Sequence, residues 1–362
     1  MGRDAGGTYV IAGGGTGGHL YPGIAIAEEL RRRRPQARIV FAGRGLPLEK
    51  SIVERHGYSL LPVRSGGVVG KSIGKRLSGA FLAFRGFFEA IRSLRLLKPK
   101  AVIGVGGYAS FPMVLAAAAR RIPTLVQEQN AVPGLANWLL GRLADEIALT
   151  YEETRRFFGG RGQVTGNPIR AEFREVLRAA RGTTGRRLLV FGGSQGSRAL
   201  NNAVLESLPF LEGDRPRLTI VHGTGPADAE RVRRAYAACR YTAEVLPYIT
   251  DIRSAYAAAD LVIARAGAST CSELAACGKA AILVPLPTAA HDHQMKNAES
   301  VARAGAAVLM AEKDLSGPAL ADAIRRLLHD PALLEAMEKA ALALARPDAA
   351  AHIVDLVERI AP

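Results

Sequence analysis

The chain is predicted to be an α/β protein built from two doubly wound domains. Three observations predict this. Its 362 residues are too many for one ordinary core. Short aliphatic runs alternate with stretches of helical period, the pattern of parallel strands joined by helices. A strand, a glycine-rich loop and a helix occur in that order near the start of each half.

The elements follow in sequence. Tyr9-Val-Ile-Ala12 reads as a buried strand, Gly13 to Gly18 as a loop, and Ile24, Ile26, Ala27 and Leu30 as a helix face. Arg31 to Arg34 close that helix, where cations suit its dipole. Further strands are expected at Arg38–Ala42, Ala101–Ile103, Thr124–Val126 and Glu146–Leu149. Thr165-Gly-Asn-Pro-Ile169 is a turn signature, after which the pattern restarts. Arg187–Phe191 is a strand, Gly192–Gly196 a loop and Ala199–Leu208 a helix, with later strands at Leu218–Val221, Leu261–Ala264 and Ala281–Val284. The domains are placed at 1–166 and 167–345. A last helix, about Ala349 to Ile360, is expected to pack back on the first domain.

Composition narrows the class. Apolar residues make up 48%, which excludes global disorder. A formal net charge of +15 favours anionic partners without choosing among nucleic acid, phosphorylated substrates and an anionic membrane. Cys239, Cys271 and Cys277 form no CxxC pair, so neither a zinc site nor a disulfide framework is expected. The opening residues lack the apolar core of a secretory leader, and Gly6 stands where a myristoylation signal needs Ser or Thr. No apolar run approaches the ~20 residues of a membrane span, so membrane contact is expected to be peripheral.

Four clusters carry chemistry. In Gly13-Gly-Gly-Thr-Gly-Gly18 and His19, glycines let backbone amides approach an anion at a helix N-terminus. The loop also fits the G-x-G-x-x-G dinucleotide pattern, but the second strand ends Phe41-Ala-Gly-Arg44 without the expected carboxylate. Arg44 leaves an NADP-dependent oxidoreductase as an alternative. Gly192-Gly-Ser-Gln-Gly196 offers a second set of amides. Two halves facing each other would make one cleft with two anion-cradling walls, suited to a nucleotide diphosphate. Arg265-Ala-Gly-Ala-Ser-Thr-Cys-Ser-Glu273 follows a strand; Glu273 could accept a ribose diol or complete a capping box with Thr270. In His291-Asp-His-Gln294, a polar loop reading sugar hydroxyls through Gln294 is more economical than a metal site, and no Asp-x-Asp motif occurs. His56, His222, His329 and His352 show no partners in the sequence. Ile73, Leu77, Phe81, Phe84 and Phe88 recur at helical spacing among Lys71, Lys75, Arg76, Arg85, Arg92 and Arg95, as core or as a surface entering a headgroup layer. No aromatic stacking strip or nucleic-acid module is visible, so no nucleic-acid partner is expected.

Taken together the motifs resemble the MurG family of bacterial N-acetylglucosaminyltransferases. The matching strings are Gly14-Gly-Thr-Gly-Gly-His19 with Pro22, Gly106-Gly-Tyr108, Glu128-Gln-Asn130 with Gly134 and Asn137, Gly166-Asn-Pro-Ile-Arg170, the second glycine loop with Asn201, Arg265 to Glu273, and His293-Gln294 with Asn297-Ala298. Ser197 and Cys271 depart from the usual small or aliphatic residues. The resemblance implies a GT-B fold, two Rossmann-like domains facing across a cleft. It implies transfer of GlcNAc from UDP-GlcNAc, with inversion, to the C4 hydroxyl of MurNAc in lipid I, the undecaprenyl-diphosphate-linked MurNAc-pentapeptide, at the cytoplasmic face of the membrane. By position, Ile249 and the loop Ala268, Ser269, Thr270, Cys271, Ser272 and Glu273 would hold uracil and ribose, and Ser194 the diphosphate. Asn130 and Gln294 would read GlcNAc, Arg170 would help close the cleft, and Thr16, Gly17 and Gly18 would line the acceptor–donor junction. His19 is the candidate base, or a residue that only positions a diphosphate. No metal or other cofactor is expected. A UDP-GlcNAc epimerase of the same fold is the other alternative.

Overall fold

The computed structural model describes residues 6–15, 17–66, 73–170, 172–173, 186–289 and 292–362, with only the backbone for 73–81 and 83. In chain order the first sheet-bearing stretch runs β1 (Thr8–Ala12), α1 (Gly17–Arg33), β2 (Arg38–Gly43), α2 (Pro47–Arg55), β3 (Ser59–Pro62), α3 (Ile73–Leu97), β4 (Ala101–Gly104), α4 (Ser110–Ala119), β5 (Thr124–Glu128), α5 (Leu135–Leu140), β6 (Glu146–Leu149) and β7 (Gln163–Val164). The second runs β8 (Arg186–Phe191), α6 (Arg198–Ser207), β9 (Leu218–Gly223), α7 (Ala229–Ala238), β10 (Thr242–Leu246), α8 (Ile252–Ala258), β11 (Leu261–Ala264), α9 (Ala268–Ala276), β12 (Ala281–Leu283), α10 (His293–Arg303), β13 (Ala307–Leu309), α11 (Gly317–His329) and α12 (Pro331–Leu344). Helix α13 (Ala349–Ile360) ends the chain. Two compact units result: one reaches Arg170 and includes Arg346–Pro362, the other is Ala171–Ala345. The division therefore falls just beyond Arg170 rather than at 166.

The first unit holds a seven-stranded sheet in the order β3-β2-β1-β4-β5-β6-β7, and the second a six-stranded sheet in the order β10-β9-β8-β11-β12-β13. All described strand pairs are parallel. Parallel strands need crossover helices, which bury both sheet faces; Val10, Ile11, Val102 and Ile103 are accordingly fully buried. In each sheet the strand order reverses beside the first strand, between β1 and β4 and between β8 and β11. At that switch the two following loops diverge and leave a crevice at the carboxyl ends.

Helix α13 belongs to the core of the first unit. Its Ile353, Val354, Leu356 and Val357 are buried in one cluster with Ile11, Leu20, Ile24 and Leu30. Arg33 pairs with Asp355 at 2.6 Å and Glu358 at 3.1 Å, and Arg34 with Glu358 at 3.0 Å. The arginine run at the end of α1 thus clamps the last helix as well as suiting a dipole. Glu29 joins it: hydrogen bonds from Arg32 and then Arg33 hold its carboxyl down at about 2.

Candidate functional site

In the first unit, the loop after β1 lies at the switch point. Gly13 N–H donates to Ala42 O at 3.0 Å. Gly15 N–H donates to Glu49 Oε1 at 2.6 Å, and Leu46 N–H to Glu49 Oε2 at 3.1 Å. Glu49, in α2, is fully buried. Two loop amides are therefore held inside the protein, and the outward donors are those of the first turn of α1, which have no intrahelical acceptor. Gly17 and Gly18 open that turn and half-buried His19 follows; Thr16 lies outside the described residues. The loop after β4 presses close: a Cβ on Gly107 would lie 2.3 Å from Gly14 O, and one on Gly106 would lie 2.9 Å from His19 Nδ1. Both glycines also have positive φ, so no side chain fits either demand. Exposed Arg44 lies over the Tyr108 ring, 5.9 Å from its centroid.

At the end of β5, buried Glu128 accepts from Asn130 N at 2.9 Å, Asn130 Nδ2 at 3.1 Å, Gly134 N at 3.2 Å and Asn137 Nδ2 at 2.9 Å. Burial pushes its carboxyl up and these donors oppose the shift. The carboxylate is an anchor for the Asn130 loop, so the Glu128-Gln-Asn130 string encodes loop geometry. The Asn130 amide nitrogen faces Glu128. Arg170 Cζ sits 4.8 Å over the Tyr21 ring of α1.

In the second unit, exposed Ser194 lies in the loop after β8. Gly196 has φ 74°, and a Cβ there would fall 1.9 Å from Thr224 O, so glycine alone permits this approach to the loop after β9. Ser197 caps α6 by accepting from Leu200 N at 3.3 Å, and also accepts from Arg265 Nη2 at 2.7 Å. Buried Arg265 donates further to Val284 O at 3.1 Å and Pro285 O at 3.0 Å and pairs with Glu312. One guanidinium thus ties together the loops after β8, β11 and β12. Its planar fork suits that task and a lysine's would not.

Helix α9 starts from Gly267, whose side chain offers no cap, so Thr270 and Glu273 lie within the helix and do not form the capping box the sequence allowed. Ser269 and Thr270 occupy its first turn, and Ser269 Oγ is buried with no hydrogen-bond partner among the described residues. Ala268 and Cys271 are buried, and Ser272 Oγ donates to Ala268 O at 3.0 Å. Half-buried Glu273 accepts from Tyr256 OH at 3.3 Å. Ile249 packs against the end of β9, where a Cβ on Gly223 would lie 2.9 Å from Ile249 Cδ1. Gln294 is not in a polar loop. It lies in the first turn of α10, and its Oε1 accepts from Leu286 N at 3.0 Å. His291 lies outside the described residues.

Sequence reasoning missed Glu49 and Tyr256, and it named Arg265 and Ser197 without the contact that joins them; all four have partners distant in the chain. His56 and His329, read as partnerless, meet Glu28 at 3.2 Å and Asp214 at 2.6 Å. Fully buried His222 has Tyr236 OH 2.9 Å from Nδ1 and Asn201 Oδ1 3.0 Å from Nε2. Asn201 Nδ2 donates to Thr224 O at 3.0 Å and Asp228 at 2.7 Å. The amide oxygen must then accept, which places the imidazole proton on Nε2.

Residues 9–149 match the glycosyltransferase family 28 N-terminal domain and residues 187–353 the family 28 C-terminal domain. A protein of Anaeromyxobacter dehalogenans named UDP-N-acetylglucosamine--N-acetylmuramyl-(pentapeptide) pyrophosphoryl-undecaprenol N-acetylglucosamine transferase is 47% identical, over 96% of this chain and 91% of its own. A protein of the same name from Citrifermentans bemidjiense is 45% identical, over 95% and 97%. The crystal structure of Acinetobacter baumannii MurG superposes with a TM-score of 0.81 at 31% identity, over 98% of this chain and 99% of that one. A putative UDP-N-acetylglucosamine 2-epimerase of Listeria monocytogenes, at 14% identity and a TM-score of 0.71, shares the fold. Two parallel doubly wound units, with relatives of this identity along nearly the whole chain, make it a GT-B protein that belongs to glycosyltransferase family 28, among the MurG N-acetylglucosaminyltransferases.

Proposed function

We infer that the chain moves GlcNAc from UDP-GlcNAc to the C4 hydroxyl of MurNAc in lipid I, forming lipid II for peptidoglycan. One observation carries the site reading: a glycine turn leading into a helix stands at the switch point of each sheet, and in the second unit it adjoins α9 with Glu273. The second unit is the donor side. Ile249 and Ala268 to Glu273 take uridine, Glu273 accepting from the ribose diol; Ser194 and its neighbouring amides take diphosphate; Gln294 contacts the sugar. The buried, partnerless Ser269 Oγ supports a ligand at the start of α9. The first unit is the acceptor side, with the opening turn of α1, from Gly17 and Gly18, directed at an anion. Asn130 is read, with Gln294, as a contact to GlcNAc.

The chemistry is a direct displacement. The acceptor O4 attacks the anomeric carbon as a base takes its proton, the O4–C1 bond forms, and the bond from C1 to the β-phosphate oxygen breaks with its electron pair leaving on UDP. His19 is the base. Neutral imidazole accepts a proton near neutral pH, and the missing side chain of Gly106 leaves room for the ring beside the loop after β4. Helix-terminal amides stabilise the leaving diphosphate.

The enzyme works at the membrane surface, on the cytoplasmic side where its nucleotide donor is found. Among the described residues no helix is long and apolar enough to cross a membrane. Exposed Phe84, Phe88 and Leu96 on α3 support peripheral attachment.

Incubation with labelled UDP-GlcNAc and a lipid I analogue tests the reading. Label is expected in the lipid, with release of UDP only when the acceptor is present. Conversion of UDP-GlcNAc to an epimer without acceptor would replace transfer by epimerisation.

A further inference from the structure

Glu273 sits in the second turn of α9, where a glutamate has several staggered rotamers to choose from. Ribose recognition needs one of them, because a carboxylate grips a vicinal diol only when both oxygens face it. The structure supplies a constraint from another element. Helix α8 is started by Asp251, whose carboxylate accepts from Ser254 N at 3.0 Å, and it buries Tyr256 completely. The edges of two rings brace that side chain: Phe173 at 5.9 Å and Phe191 at 6.0 Å between centroids, both T-shaped. So fixed, Tyr256 aims its hydroxyl at Glu273 Oε2, 3.3 Å away.

We propose that Tyr256 is a positioning residue for nucleotide recognition: its buried hydroxyl holds the Glu273 carboxylate in the rotamer that reads the ribose diol, and so sets the preference for a ribonucleotide donor. The idea rests on the reading of Glu273 as the ribose acceptor. Its physical basis is the cost of a buried hydroxyl without a partner. If Glu273 swings away, the Tyr256 proton loses its acceptor in a place water does not reach. Burial, and then the negative charge of Glu273, raise the phenol well above its ordinary range, so the hydroxyl stays a donor at every working pH. One carboxylate oxygen takes the tyrosine proton, and an ionised carboxylate has further lone pairs with which to accept from a diol.

The test compares UDP with 2′-deoxy-UDP by titration calorimetry on the full chain. The unmodified protein is expected to prefer UDP by about 10- to 100-fold, the range of hydrogen bonds to a charged group. Tyr256→Phe keeps the ring and its packing, and is expected to shrink that ratio about 3- to 10-fold, with a fall of a few degrees at most in the thermal midpoint. Glu273→Ala should abolish the ratio, and adding Tyr256→Phe to it should change the ratio no further. A merely structural tyrosine would weaken both nucleotides equally and leave the ratio alone. Full discrimination in Tyr256→Phe, with its loss in Glu273→Ala, overturns the proposal and leaves the ribose reading standing. Retained discrimination in Glu273→Ala overturns the ribose reading itself, and the proposal with it. A further fall in the double variant would mean that Tyr256 acts by another route, and also overturns the proposal.

Discussion

At the scale of single residues, buried polar side chains give the site its shape. Glu49 shows how. Its oxygens take the amides of Gly15 and Leu46, so a carboxylate with no exposure holds the loop proposed to face an anion. A negative charge behind an anion site is costly unless it does something neutral groups cannot, and here it fixes the turn with two charge-assisted hydrogen bonds. Glu49→Ala would take the acceptor from two half-buried amides, at about 1 kcal/mol each. The expected result is a lower urea midpoint, a raised KM for the lipid acceptor and a lowered kcat, with the KM for UDP-GlcNAc unchanged. A variant that altered only the UDP-GlcNAc KM would remove the loop from the acceptor side. Nothing in Leu46-Pro-Leu-Glu49 announces this role, because the partner loop lies 34 residues earlier and the contact exists only in the fold. Tyr256, and the contacts though not the presence of Arg265, were hidden for the same reason. The glycines, by contrast, were legible, since close approach and positive φ leave a mark on composition that a long-range hydrogen bond does not.

At the scale of elements, what could be read was what is buried on both faces. Strands β1, β4, β5, β6, β8, β11 and β12 appear in the sequence as aliphatic runs. Strands β3, β7 and β10 do not, because they lie at the sheet edges, where exposed positions break the run; β10 alternates Thr242, Glu244 and Val245, and β13, Ala307–Leu309, is aliphatic but only three residues long. The connection of β9 to α6 and α7 was equally invisible, since it runs through Asn201, His222, Tyr236 and Asp228. This network makes a pH signature. Burial holds the His222 imidazole down at about 4, against an ordinary value near 6.5. The unfolded chain therefore takes up a proton on falling through pH 6.5, while the folded one refuses it until about pH 4. Stability from this group is complete above pH 6.5 and is lost between there and about pH 4, to a total on the order of 3 kcal/mol. Asp228 does not confuse the window: hydrogen bonding from Arg231 holds it down at about 2, so its loss comes at lower pH. Urea unfolding at steps from pH 7.5 to 4.5 should show a steeper loss in the unmodified protein than in His222→Gln. Parallel curves for the two would mean that His222 is not the titrating group.

At the scale of the whole molecule, a +15 chain has to put its charge somewhere useful. Helix α3 shows one such place. Gly86, Ala90 and Leu94 face inward at a spacing of four, and Gly86 is so tightly seated that a Cβ would fall 1.9 Å from Arg64 O. The opposite stripe carries Phe84, Phe88, Arg92 and Arg95, all exposed, with Arg85 and Leu96 beside it. Phe84 and Phe88 stack edge to face at 4.9 Å and form a small apolar knob, with exposed Arg85 and Arg92 on the same helix. Aromatic rings flanked by cations suit the boundary between headgroups and acyl chains, the rings entering and the guanidinium groups meeting phosphate. The expected Lys71 lies outside the described residues, as do the side chains of Lys75, Arg76, Ile73, Leu77 and Phe81, so the described half of the stripe alone carries the prediction. Removing the rings by Phe84→Ser with Phe88→Ser should weaken sedimentation with anionic vesicles about tenfold or more, since burying even part of two rings is worth ~1.5–3 kcal/mol. Charge reversal at Arg92 and Arg95 should weaken it by a similar factor at low salt and by much less at high salt, because screening acts on the charges and not on the rings. Turnover of a water-soluble acceptor analogue should stay the same in both variants. Unaltered vesicle binding in the ring variant would move the attachment surface off this stripe of α3. An equal loss at high and low salt in the arginine variant would show that those residues hold the helix in place and do not meet the lipid.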